Sequence, residues 1–126
     1  MSWLVSDARV LASADHVTER AAKRKGLLGR DGLEGALVIE GCRWVHTVGM
    51  KFPIDVAFLD RDGLVIRTVQ MPRHRVGLPV LRARQVIEAE AGAFARWGLH
   101  VGAVIEMRDG EAHTTDPHRP PLSPRR

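Results

Sequence analysis

His46, Lys51 and Asp55 fall within one short stretch and could bring an imidazole, an ammonium group and a carboxylate to a single site. Histidine and carboxylates are the side chains most often used as general bases. In Ile54-Asp55-Val56-Ala57-Phe58-Leu59, strand periodicity puts Asp55 on one face with Ala57 and Leu59, while Ile54, Val56 and Phe58 fill the other. Both faces are largely apolar, so the carboxylate is expected to be partly buried, and a buried carboxylate must be hydrogen-bonded or paired. Two roles are open to it. It either caps loop N–H groups or pairs with an arginine at the entry to a hairpin, or it serves as a binding-site acceptor or general base beside His46 and Lys51. His46 and Asp55 are therefore the catalytic candidates.

A second signal is regional. Between Gly63 and Ile87 stand Arg67, Arg73, His74, Arg75, Arg82 and Arg84, with no Asp or Glu among them. Guanidinium groups bind carboxylate and phosphate in bidentate fashion. Two prolines and a glycine in Met71-Pro72-Arg73-His74-Arg75-Val76-Gly77-Leu78-Pro79 mark a loop. That loop is either an anion-binding surface or a solvated connector. Lys51, Arg73, Arg75, Arg82 and Arg84 are the ligand-binding candidates.

Other chemistries find less support. The four serines, Ser2, Ser6, Ser13 and Ser123, sit near the chain ends and outside any nucleophile motif. Cys42 and His46 would share a strand face but lie roughly 13 Å apart along an extended backbone, so a thiolate–imidazole pair needs a bend. An inert, semi-buried thiol is the simpler reading. The six histidines show no zinc-ligand spacing, and no metal or other cofactor is expected.

The elements that position these residues read as mainly β. Three Arg-Asp-Gly tripeptides, at 30–32, 61–63 and 108–110, mark turns. The middle one joins Ile54–Leu59 to Leu64–Val69 as a hairpin. Its Asp60-x-Asp62-Gly63 lacks the further oxygen ligands of a calcium loop and reads as a plain turn. Trp3 to Leu11 is expected to be an entry strand. Asp15 then caps a short helix running through Arg24, with Gly26 ending it. Gly35 to Glu40 is another strand. From Leu81 to Glu90, apolar and charged residues alternate, apart from Gln85 and Val86, predicting a strand with one wet face. A helical turn over 91–97 ends at Gly98, and Ala103–Met107 is the last strand.

Length and composition suit one domain over residues 1–110, with a hydrophobic fraction of 44%. Residues 111–126 hold four of the seven prolines and are expected to be a disordered tail. The net charge of +4 invites a nucleic-acid reading. However, only three of the 19 basic residues are lysine, and Tyr and Asn are absent, a skew that GC-rich codons would produce. Aromatics at 5% are too sparse for base stacking, which disfavours nucleic acid. One cysteine, no leader-like N-terminus and no apolar run of membrane length suggest the cytoplasm and no membrane partner.

The order Gly26-Leu27-Leu28-Gly29-Arg30, Gly35-Ala36-Leu37, Met50-Lys51-Phe52-Pro53-Ile54-Asp55-Val56-Ala57-Phe58-Leu59-Asp60, Gly63, Ala83-Arg84-Gln85-Val86-Ile87-Glu88, Gly92, Gly98-Leu99 and Gly102 resembles the domain of unknown function 192 family over about residues 8–107. The resemblance implies a compact β sandwich of jelly-roll type with one or two short helices, and no established activity. Relatives commonly carry a Phe-Trp-Met-Lys-Asn-Thr-like stretch where this chain has Trp44-Val45-His46-Thr47-Val48-Gly49-Met50-Lys51.

Taken together, the residues suggest a stand-alone module that binds a small anionic ligand or a protein partner. The segments His46–Asp55 and Arg73–Arg84 would form its two walls. A hydrolase-like or other enzyme using His46 or Asp55 with an arginine-held anion is the alternative, and RNA binding the weaker one.

Overall fold

A computed structural model describes residues 2–18 and 32–109. Strands β1 (Ser2–Ser6), β2 (Arg9–Thr18), β3 (Ala36–Glu40), β4 (Ile54–Leu59), β5 (Val65–Met71), β6 (Gln85–Glu90) and β7 (Glu106–Asp109) form one seven-stranded sheet in the order β5-β4-β6-β3-β2-β1-β7. A short helix, α1 (Ala93–Trp97), links β6 to β7. All pairings are antiparallel except β2 with β3. The mainly β expectation holds, but the layers come from one curled sheet. Its two edges meet where Leu64 bridges Val104, with Val65 N–H donating to the Ala103 carbonyl and Ile105 N–H to that of Gly63, both at 2.9 Å.

Curling creates an inside and an outside, and both are apolar. Leu4, Ala14, Val38, Ala57, Leu59, Val65 and Ile87, drawn from six strands, fill the inside with Phe94, Leu99 and Ile105. Leu37, Ile39, Ile54, Val56, Phe58 and Val86 form the outer face, roofed by Cys42, Val45, Met50 and Phe52 from the β3–β4 connection. The two faces predicted for Ile54–Leu59 thus belong to two separate clusters, with Val56 and Ala57 both fully buried.

The β4–β5 hairpin is present, with a register shift after Phe58. Its turn is organised by Asp60, whose Oδ1 accepts the N–H groups of Asp62 (2.9 Å) and Leu64 (3.0 Å). Gly35 to Glu40 and the turn over 91–97 also match expectation, and the loop read over Met71–Pro79 begins at Pro72, after the last residue of β5.

Four expectations fail. The entry strand breaks at Asp7 and Ala8, which adopt φ of 52° and 62° and make a two-residue hairpin turn between β1 and β2. No glycine or asparagine marks it. Asp15 does not cap a helix, because β2 continues through Thr18 in parallel register with β3. The rest of that helix and the 111–126 tail lie outside the described residues. The strand read from Leu81 starts only at Gln85. Leu81 is exposed, and Val86 to Ala89 are all buried, because β6 is central and roofed on its outer side. The last strand begins at Glu106, after the Val104 bridge.

Candidate functional site

The predicted walls meet in part, where residues 47–49 lie against residues 72–75, and Thr47 pins them. This side chain is fully buried. Its Oγ1 donates to the Pro72 carbonyl (2.6 Å) and accepts the Arg75 N–H (2.9 Å). Its backbone N–H donates to the Arg75 carbonyl, and its own carbonyl accepts from His74 and Met50. The ladder continues through Gly77 N–H to the Val45 carbonyl and Val80 N–H to the Arg43 carbonyl. Trp44 clamps it from outside, donating its indole N–H to the Gly77 carbonyl at 2.7 Å. Gly77 leaves room for this crossing, since a Cβ there would stand 2.9 Å from the Val45 carbonyl oxygen.

Both loop histidines serve the backbone. His46 Nδ1 accepts the Val48 N–H and His74 Nδ1 the Gly49 N–H, at 3.2 and 3.1 Å. A neutral ring accepting at Nδ1 carries its proton on Nε2. His74 holds φ of 62°, a left-handed conformation. His46 also stacks at a tilt against Trp44, with centroids 5.3 Å apart.

The structure does not bring His46 to Asp55. Asp55 lies on the inner face, where Oδ2 accepts the N–H groups of Gly92 and Phe94 (both 3.0 Å) and Oδ1 accepts from Gln70 Nε2 (3.1 Å). The roof carrying Val45 and Met50 packs on the outer face, so the sheet separates the two catalytic candidates. Five residues are too few for a helix to stand alone. Asp55 caps α1 from a distant strand, because Gly92 at its N-terminus has no side chain to do so. Cys42 is buried and its thiol donates to the Trp44 carbonyl, whereas His46 Nδ1 accepts the Val48 N–H.

The arginines are better gathered. Arg43 Nε (3.1 Å) and Arg84 Nη1 (3.3 Å) both donate to the Ala83 carbonyl, which sets two guanidinium groups side by side. Arg73, Arg75 and Arg82 are exposed and, among the described residues, make no ion pair. Lys51 is exposed on the roof between buried Met50 and Phe52. The same loops expose Trp44, Val48, Val76, Leu78 and Leu81, the last two by about three quarters of their surface. Arg43 escaped the sequence reading because it precedes the acid-free window. Its membership follows from the pairing of Arg43 with Val80.

One carboxylate was misread entirely. Glu88 stands on the roofed face of β6 between Leu37 of β3 and Val56 of β4. It is 7% exposed and, among the described residues, has no hydrogen-bond or ionic partner. Burial pushes its carboxyl from the ordinary 4.5 up to about 7. No group of three or more His, Cys, Asp or Glu that could hold a metal occurs among the described residues. No helix there is long and apolar enough to cross a membrane.

Two solved structures share this fold. A protein of unknown function from Novosphingobium aromaticivorans is 21% identical, with TM-score 0.68 over 83% of this chain and 82% of that one. A candidate transcription regulator from Sinorhizobium meliloti is 17% identical, with TM-score 0.70 over 84% and 91%. At such identities the likeness speaks for the fold alone. No curated protein matches the chain in sequence. The model of one uncharacterised family covers residues 4–107, from the first strand of the sheet into the last, and on that match the chain belongs to DUF192, the domain of unknown function 192 family (Uncharacterized ACR).

Proposed function

We propose that this chain is a non-catalytic binding module. Its partner is a protein segment that presents carboxylates beside apolar side chains, and its docking face is made by residues 43–48 and 72–84. The observation that carries this reading is the pair of guanidinium groups, Arg43 and Arg84, meeting at one carbonyl and, among the described residues, forming no ion pair with a carboxylate. Like charges held together repel, and an anion laid across them relieves that cost. Arg73, Arg75, Arg82 and Lys51 extend the positive field. Trp44, Val76, Leu78 and Leu81 supply apolar area that protein interfaces bury at their centre. Leucine and valine around a single indole suit a protein better than nucleic acid, which needs stacking platforms. An enzyme built on His46 and Asp55 is the weaker reading, since Asp55 already accepts three hydrogen bonds on the opposite face.

The test is fluorescence anisotropy with three labelled probes: a peptide alternating Glu and Leu, poly-Glu of equal charge, and a single-stranded RNA. The alternating peptide should bind tightest, more weakly as salt rises. Reversing Arg43 and Arg84 to Glu should weaken it by about tenfold or more and flatten the salt dependence. Trp44→Ala should cost the alternating peptide more than poly-Glu. No binding of either peptide at low salt would refute the proposal. Preference for RNA would replace the partner class.

A further inference from the structure

We propose that a second site, the cleft between β2, the entry to β3, the end of β6 and α1, binds a free α-amino acid with an apolar side chain. The cleft has a volume of about 490 Å³, the size of a small-molecule pocket. It shares no lining residue with the docking face. Its polar lining is Ser13, Glu34, Glu90, Arg96 and Trp97.

Opposite charges line this cleft without meeting. Among the described residues, none of the side chains of Ser13, Glu34, Glu90 or Arg96 makes a hydrogen bond or ion pair. Two glycines show where the charged ends lie. Glu90 Oε2 comes 3.8 Å from the point where a Gly32 Cβ would stand, and Arg96 Nη1 comes 3.6 Å from that of Gly92. The carboxylate of Glu90 thus leans towards the entry of β3, the segment that carries Glu34. The guanidinium lies back over the N-terminal glycine of α1.

A simple anion entering here meets two carboxylates, and a simple cation meets Arg96. A zwitterion satisfies both ends at once. Its ammonium group would take Glu34 and Glu90, and its carboxylate would take the Arg96 fork. Leu11, Leu33 and the half-buried Trp97 would receive an apolar side chain.

An NMR titration of the full chain tests this with three probes: L-leucine, its methyl ester and N-acetyl-L-leucine. Leucine should give saturable amide shifts at Gly35, Glu90 and Arg96. The ester and the acetyl derivative each lack one charge and should bind about tenfold more weakly or worse. In Arg96→Gln, leucine should fall to the level of its ester, and in Glu90→Gln towards that of the acetyl form. Both side chains are exposed, so both variants should keep the wild-type spectrum elsewhere. No saturable shift with millimolar leucine would overturn the proposal. So would equal binding of the three probes.

Discussion

Replacing Glu88 with glutamine isolates a buried carboxyl that burial holds neutral. The carboxyl is neutral at low pH, and Gln keeps its shape while removing the ionisation. In the fold the proton is held until about pH 7, whereas in the unfolded chain it leaves near 4.5. The folded state therefore binds more protons between those values, and stability falls as pH rises through that window. The contribution is fully present below 4.5 and gone above about 7. At 1.36 kcal/mol per tenfold change in proton affinity, the ionised state costs on the order of 3 kcal/mol. Urea unfolding at pH 4.5 and pH 8 reads it directly. Glu88→Gln and wild type should have similar midpoints in acid, and the variant should be more stable by on the order of 3 kcal/mol at pH 8, with unchanged m-values. Comparing the two chains at each pH cancels the titration of the histidines. A gap that stays constant between the two pH values would refute the reasoning, because a partnered or hydrated carboxylate would not carry this cost.

Asp55→Ala should cost about 1–3 kcal/mol, since it orphans the N–H groups of Gly92 and Phe94. Asp55→Asn should also destabilise if the amide nitrogen faces those donors; urea midpoints equal to wild type for both variants would deny the capping role. Gly63→Ala should lower Tm by on the order of 10 °C, because its φ of 82° is strained for alanine and the new Cβ would stand 2.5 Å from the Ile105 carbonyl oxygen. Gly102→Ala is the control, with φ of 98° but open space around the new Cβ, so it should lose less; equal losses would mean that closure of the sheet at Gly63 is not tightly packed.

The arginine face illustrates how position in sequence and position in space part company. The acid-free window was visible as a run of residue types. Its strongest feature, the convergence of Arg43 with Arg84, joins residues 41 positions apart through the Ala83 carbonyl, and no local pattern encodes that. Thr47 had no signal at all. A threonine between His and Val is unremarkable until its hydroxyl meets the backbone of Pro72 and Arg75.

Local chemistry determined the elements whose partners are near in sequence. The β4–β5 hairpin was legible because Asp60 and Gly63 fix the turn within a few residues, and α1 because Gly92 and Gly98 bracket it. The two apolar faces around Asp55 followed from a period of two, as did the need for its carboxylate to find donors. Tertiary structure alone decided which donors those were, and that the sheet curls until Leu64 reaches Val104. It also decided that β6 is central. A period-two pattern reports how side chains alternate but not whether water lies on either side, so Glu88 read as solvent-facing. The β3–β4 connection folds over that face and takes the water away.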